Sequence, residues 1–143
     1  MNMMWPILVV IAANIFYNII AKSTPQGIQP FASLIITYLT AAIASVVLFF
    51  FTSQNKNLIT EVQKINWTSV AFGLAIVALE FGYICVYRVG WKISVGSLVA
   101  NIGLACVLLL VGVVLYKESI SVRQILGMVL CVSGLILISK DIW

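Results

Sequence analysis

Residues 31–52 read FASLIITYLTAAIASVVLFFFT, an apolar run without a charged side chain. A helix needs roughly 20 apolar residues to cross the hydrocarbon of a bilayer, so this run predicts a membrane-spanning helix. The run is bounded by Pro30 on one side and by the polar stretch 53–57 on the other, and both signals end helices. We therefore expect lipid to be the solvent around this part of the chain.

The same pattern extends outward along the chain. Further apolar runs precede and follow residues 31–52, separated by short polar or Pro- and Gly-containing connections. We predict five spans, at about residues 4–21, 31–52, 69–87, 94–116 and 124–139, with a short surface helix in the polar segment ahead of Trp67. Residues 1–143 would then form one all-α, polytopic membrane domain.

The composition agrees with a membrane protein. Of the 143 residues, 63% are apolar and only 8% are charged, against about a quarter charged in soluble domains. Eight Lys and Arg residues against four Asp and Glu give a net charge of +4. The basic residues stand singly at the ends of apolar runs, which is typical of membrane-interface anchors and not of a nucleic-acid-binding surface.

The sequence carries no pattern of known catalytic chemistry. It has no histidine, no HExxH, no GxSxG and no phosphate-binding glycine loop. Cys85, Cys106 and Cys131 lie inside apolar runs without CxxC spacing, so we interpret them as small buried hydrophobic residues. We expect neither an enzyme nor a bound metal or cofactor.

The loop charges bear on how the chain inserts. Five spans place the basic residues evenly on the two sides of the membrane, whereas a single orientation normally shows a cytoplasmic excess. Either the chain inserts both ways and two copies pair antiparallel, or a local detail such as the distance of Lys64 from a helix end hides the bias. An antiparallel pair would be a homodimer of ten helices resembling the inverted repeats of secondary transporters. One side holds Lys56, Lys64, Lys117 and Arg123, and the other holds Lys22, Arg88, Lys92 and Lys140.

Glu80 is the one carboxylic acid inside a predicted span. A charged side chain at membrane depth costs roughly 2.5–3.5 kcal/mol on insertion scales, so it needs a specific role. At helical spacing Glu80 shares a face with Tyr83 and Tyr87. This face predicts either a cavity that binds a cation or exchanges a proton, or a neutral glutamic acid hydrogen-bonded to another helix.

Other polar and small residues lie at helical spacing within the spans. Asn14 and Asn18 stand one turn apart in the first span, and both inter-helix hydrogen bonding and substrate contact would explain them. Ser97 and Asn101 share a face of the fourth span, and Asn101 is a further candidate for substrate contact. Close helix packing, within one copy or between copies, is predicted for Gly96, Ala100, Gly127 and Gly134.

Nearly the whole chain resembles a known family. Three segments of its second half carry the resemblance: SVGSLVANIG at 94–103, LYKESISVRQILG at 115–127 and SGLILI at 133–138. They are similar in order and spacing to the end of an EamA-like repeat of the drug/metabolite transporter superfamily, and the loop between Pro25 and Pro30 fits as well. Most members carry two such five-helix repeats in inverted orientation, whereas this chain resembles one repeat. The resemblance implies alternating-access export of a small metabolite or drug-like solute.

Two departures limit what the resemblance implies. The first span lacks the glutamate that the related small multidrug resistance proteins use as a proton and cation site, and Asn14 and Asn18 stand there instead. The proline often found in the fourth helix is absent, with Asn101 nearby. Glu118 matches the family's turn glutamate, and its position suggests helix-end capping and gating.

These observations combine into one leading hypothesis. We expect an antiparallel homodimer in a plasma membrane, such as the bacterial inner membrane, that transports a small solute. Glu80 would couple the proton or charge, Tyr83 and Tyr87 would form aromatic walls, and Asn14, Asn18, Ser97 and Asn101 would orient the substrate. The competing hypothesis is a non-transporting membrane subunit that packs with a partner or handles lipid carriers.

Overall fold

The computed structural model describes residues 4–54 and 56–139, and within them the secondary structure is helical, with no strand. This confirms the all-α prediction for the described residues. In chain order the helices are α1 (Trp5–Ser23), α2 (Pro30–Thr52), α3 (Leu58–Val62), α4 (Trp67–Arg88), α5 (Ile93–Tyr116) and α6 (Val122–Ser139).

Four helices, α1, α2, α4 and α5, are long and apolar enough to cross a membrane. The short helix α3 lies in the polar segment where a surface helix was predicted. Helix α6 is apolar but shorter, and at 1.5 Å per residue it extends roughly 27 Å, just under the thickness of the hydrocarbon layer. Four of the five predicted spans therefore have a matching helix of sufficient length, and α6 as the fifth span stays a prediction. Lys140 lies outside the described residues.

Local side-chain caps shift two helix starts from the predicted positions. Helix α4 begins two residues early because the Asn66 side chain accepts a hydrogen bond from the Thr68 backbone N–H at 3.0 Å. Helix α6 also begins early because Ser121 and Gln124 form a reciprocal capping pair. The Ser121 hydroxyl accepts from the Gln124 N–H at 3.3 Å, and the Gln124 side chain accepts from the Ser121 N–H at 2.8 Å.

The chain divides into two compact units at the boundary between Val89 and Gly90. In the first unit, α4 packs against both α1 and α2. In the second unit, α5 packs against α6, where the Cys106 sulfur lies 3.3 Å from the Met128 sulfur. Few side chains are fully buried, and large apolar residues such as Phe51 are exposed along the helices, as expected for helices surrounded by lipid.

The predicted packing residues differ in burial. Gly96 is buried, whereas Ala100 is exposed. A Cβ added at Gly127 or Gly134 would meet no atom within 4 Å, so these glycines make no tight contact inside the second unit. A contact at these two glycines between copies stays a prediction.

Helix α5 ends at a residue in the left-handed backbone conformation. Lys117 has φ 53°, and the backbone N–H groups of Lys117 and Glu118 both donate to the Gly112 carbonyl. The Glu118 carboxylate folds back over Gly112, where an added Cβ would lie 2.7 Å from a carboxylate oxygen. Glu118 therefore takes part in capping the helix end, as predicted, and its role in gating stays a prediction.

Lys117→Gly is expected to raise the free energy of unfolding by about 1 kcal/mol, because glycine adopts this φ without the steric cost borne by other residues. Lys117→Val is expected to lower it, since a β-branched side chain is most hindered there. Unfolding in mixed detergent micelles, followed by circular dichroism, measures both effects. Lys56→Gly removes an exposed lysine elsewhere and serves as the control; equal stability of the two glycine variants would contradict the prediction.

Candidate functional site

The first unit contains a pocket of about 190 Å³ between α1, α2 and α4. Part of its wall is apolar, and the remainder is made of hydroxyl groups and one carboxyl group. The apolar side chains are those of Ile20, Ala21, Leu34 and Ile84. The polar side chains are those of Tyr17, Thr24, Ser33, Thr37 and Glu80.

Glu80 provides the carboxyl group of this pocket. It lies on α4 about two turns before the end of the helix at Arg88, which is roughly 12 Å along the helix axis. Within the described residues no Lys or Arg forms an ion pair with it; the ion pair found there joins Lys64 to Glu61 on the exposed α3 segment. The carboxyl group is therefore available to a proton or to a ligand.

Two tyrosines from other helices approach Glu80. The Tyr38 hydroxyl of α2 lies near the carboxyl group but makes no hydrogen bond to it. Tyr17 of α1 lines the same pocket as Glu80. The hydroxyl oxygens of both tyrosines are buried without a hydrogen-bond partner. Buried hydroxyls normally have a hydrogen-bond partner, so a water molecule or a bound ligand would complete the hydrogen bonding here.

Aromatic contacts continue from the pocket toward the end of α4. The ring of Tyr17 meets the ring of Tyr83 edge-on, with 5.4 Å between centroids. The ring of Tyr83 lies 6.0 Å from that of Tyr87. Tyr83 and Tyr87 therefore lie on the α1-facing side of α4, and Tyr17 is the ring that lines the pocket.

A buried hydrogen-bond network joins α1 to α4 beside these rings. The Tyr87 hydroxyl donates to the Asn18 side-chain oxygen. The Asn18 amide nitrogen donates to the Asn14 side-chain oxygen and to the Asn14 backbone oxygen, both at 2.8 Å. Asn18 is only 5% exposed and Tyr87 only 3%. The structure thus places Asn18 in the contact between two helices of one copy.

Two basic side chains make contacts near the end of α4, one with the loop between α1 and α2 and one from α1 itself. The Arg88 guanidinium donates to the backbone carbonyl of Pro25 at 3.1 Å and to that of Ile28. The Lys22 ammonium lies 3.4 Å from the Tyr87 carbonyl oxygen and 5.7 Å from the centre of the Tyr87 ring. Lys22 and Arg88 therefore lie at the same end of this unit, as their predicted side of the membrane requires.

Ser97 and Asn101 belong to the second unit. The Asn101 amide donates to the Ser97 backbone oxygen at 2.8 Å and to the Ser97 hydroxyl at 3.2 Å. Both residues are on α5, so this pair satisfies its polar groups within its own helix. Asn101 is exposed, and its predicted contact with a substrate stays a prediction.

Comparison with known families places the chain in one of them. The profile described as the EamA-like transporter family matches residues 3–140. The chain belongs to the EamA-like transporter family. A search of curated proteins and a search of solved structures each found no significant match. The family match confirms the resemblance drawn from the sequence motifs and agrees with the membrane-spanning helices.

Several polar residues of this EamA-like site were not predicted from the sequence. Tyr17, Ser33 and Thr37 line the pocket and Tyr38 lies near Glu80, although each lies in a run that was interpreted only as a span. Thr24 lines the pocket from the connection after the first span. A signal was present: Ser33, Thr37 and Thr40 repeat at helical spacing within a run that is otherwise apolar. Within the described residues, no group of three or more His, Cys, Asp or Glu side chains is placed to hold a metal ion.

Proposed function

We propose that this EamA-like chain is a secondary transporter that moves a small solute by alternating access, in the outward direction, and works as a pair of inverted copies. The observation that carries the proposal is the Glu80 carboxyl group in a pocket between three helices of membrane-spanning length. The family match supports transport, and the pocket supports a site for both the solute and the coupling proton.

The setting of Glu80 favours coupling over a purely structural role. A carboxylate inside a membrane is costly unless a basic side chain or a cation compensates for its charge, or a proton neutralises it. Among the described residues, no basic side chain pairs with Glu80. A proton and a cationic or polar solute can then compete for the same carboxyl group, and this competition is the simplest way to couple their movements.

Two inverted copies are proposed because the basic residues divide evenly between the two sides of the membrane. About five helices barely enclose a cavity, and secondary transporters place their sites between two inverted repeats. The even division of the eight Lys and Arg residues over the two sides supports insertion in both orientations. We place the dimer in a plasma membrane such as the bacterial inner membrane.

Cysteine labelling in whole cells tests the inverted pair. Gln26 lies in the loop before α2 and Gln54 in the segment after it, and both side chains are exposed. In a background with the three native cysteines replaced by alanine, Gln26→Cys and Gln54→Cys are treated with a membrane-impermeant thiol reagent. Because opposite ends of α2 face opposite sides, dual insertion is expected to label each variant to about half of the level reached after permeabilisation.

Labelling of only one of the two variants would contradict the antiparallel homodimer. It would favour the competing hypothesis of a subunit inserted in one orientation, which packs with a partner or handles lipid carriers. The two loops are matched controls for each other, because the same residue type is replaced at an exposed position in both.

A further inference from the structure

We infer that the pocket of the first unit takes a small organic cation that carries N–H donors, namely a primary ammonium group on a short apolar chain or ring. This inference rests on the proposed function, since it names the solute class for the same pocket. Four features of the pocket carry it: the free hydrogen-bonding capacity of its hydroxyls, its charge, its size and its apolar wall.

The threonine hydroxyls of the pocket can only accept hydrogen bonds from a ligand. The Thr24 hydroxyl donates its proton to the Ile20 carbonyl at 3.2 Å, and the Thr37 hydroxyl donates to the Ser33 carbonyl at 3.1 Å. A hydroxyl has one proton, so what each threonine has left for a ligand is its oxygen lone pairs. For these two threonines the complementary ligand is therefore a hydrogen-bond donor.

The charge of the pocket favours a positive donor. Glu80 adds carboxylate oxygens that accept hydrogen bonds when ionised, and no basic side chain among the described residues neutralises it. The Tyr17 hydroxyl lines the same pocket, is buried without a hydrogen-bond partner, and can accept a hydrogen bond as well as donate one. An ammonium group with three N–H donors satisfies such acceptors, whereas an organic anion would be repelled by the carboxylate.

The size and the apolar wall define the rest of the ligand. The pocket of about 190 Å³ is smaller than the roughly 300–1,000 Å³ of sites for drug-sized molecules. The apolar side chains of Ile20, Leu34 and Ile84 line the pocket and suit an alkyl or aryl group. The ligand is thus a small amine with one cationic end and one apolar end.

A quaternary ammonium of the same skeleton is the informative competitor. It carries the same charge but no N–H donor, so it leaves the acceptors of the pocket unpaired. Sites built to hydrogen-bond a ligand reject analogues that lack the bonding group far more strongly than they reject a change in apolar size. The pocket is therefore expected to discriminate between the two by hydrogen bonding.

Isothermal titration of the full chain in lipid nanodiscs tests this. The ligands are phenethylamine, its N,N,N-trimethyl derivative and 3-phenylpropionate, with empty nanodiscs correcting for partition into lipid. The primary ammonium is expected to bind at least roughly tenfold more tightly than the trimethyl derivative, about 1.4 kcal/mol, and the carboxylate is expected not to bind. Glu80→Gln is expected to abolish binding of the primary ammonium.

Thr37→Val separates the effect of hydrogen bonding from the effect of side-chain size. It also provides a second test of the inference if the Glu80 variant does not fold. It replaces a hydroxyl by a methyl group of similar volume and is expected to weaken the primary ammonium roughly three- to tenfold while leaving the trimethyl derivative unchanged. Thr40→Val is the matched control, because Thr40 also donates to a carbonyl one turn back, that of Ile36 at 2.9 Å, but does not line this pocket.

Equal affinity for the two cations, or equal weakening of both by Thr37→Val, would overturn the inference. So would binding of phenethylamine that survives Glu80→Gln. None of these outcomes decides the proposed function, which is tested separately by the labelling of the loops and by solute-driven proton movement. A transporter with Glu80-dependent proton movement driven by a sugar or a nucleoside would keep the function and reject the amine.

Discussion

Glu80→Gln is expected to reduce solute-driven proton movement to the level of protein-free vesicles. Glutamine keeps the size of the side chain and its capacity for hydrogen bonding, but it can neither bind nor release a proton. Since the described residues offer no second carboxyl group in this pocket, no other group there can replace Glu80 in coupling. Of all single substitutions in the chain, this one should have the largest effect on transport.

The measurement uses purified protein reconstituted in vesicles that contain a pH-sensitive dye. Amino acids, nucleosides, sugars and organic cations are added outside under an imposed pH gradient, and protein-free vesicles correct for passive flux of weak bases. Glu61→Gln is the control: Glu61 is an exposed carboxyl on α3, ion-paired to Lys64 at 2.7 Å, and its loss should leave proton movement unchanged. Insertion of the variants in both orientations is checked by the same loop labelling, and their dimeric state by size-exclusion chromatography.

Retention of wild-type proton movement by Glu80→Gln would remove Glu80 from the coupling mechanism. Loss of proton movement together with loss of the folded dimer would show a structural role instead, as expected for a neutral glutamic acid that holds helices together. The proposed coupling role of Glu80 predicts a different result, namely loss of proton movement in a dimer that remains folded.

Asn18→Leu is expected to lower the free energy of unfolding by about 1–2 kcal/mol, the largest effect on stability that we predict. The substitution leaves the buried Tyr87 hydroxyl without its acceptor and removes the two hydrogen bonds from Asn18 to Asn14. Asn101→Leu makes the same change on α5, where the amide is exposed and bonds only to Ser97 of its own helix. It should change stability by less than roughly 0.5 kcal/mol.

A double-mutant cycle with Tyr87→Phe isolates the contact between the two helices. The coupling energy is expected to be about 0.6 kcal/mol, the average for hydrogen bonds between membrane helices, and at most about 1.7 kcal/mol. Removing both partners should cost less than the sum of the two single changes, because neither polar group is then left unpaired. Reversible unfolding in mixed micelles gives the four free energies, and additive effects would show that the bond contributes nothing to the packing of α1 on α4.

Helix positions could be predicted closely from the sequence because they depend on local signals. Runs without charge give the spans, and Pro25 and Pro30 mark the loop between α1 and α2. The early start of α6 could also have been predicted, since Ser121 and Gln124 have the spacing of a capping pair. The left-handed conformation of Lys117 could not have been predicted, because lysine gives no local signal for positive φ.

Part of the site could be predicted and part could not. Glu80 was recognisable because a carboxyl group is rare and costly within a span. The approach of Tyr38 from α2 was not, since helical spacing tells which residues share a face and not which helix that face meets. Nor could the two proposed roles of Asn18 be separated before its bond to Tyr87 was visible.

The sequence by itself determined that this protein is an all-helical membrane protein of the EamA-like family, with Glu80 as its unusual intramembrane acid. Only the tertiary structure decided that α1 and α2 both pack on α4, and so which side chains surround that acid. The physical reason is that lipid tails are as apolar as a leucine side chain. Hydropathy therefore marks which residues enter the membrane, but it cannot distinguish a helix face turned toward lipid from one turned toward another helix.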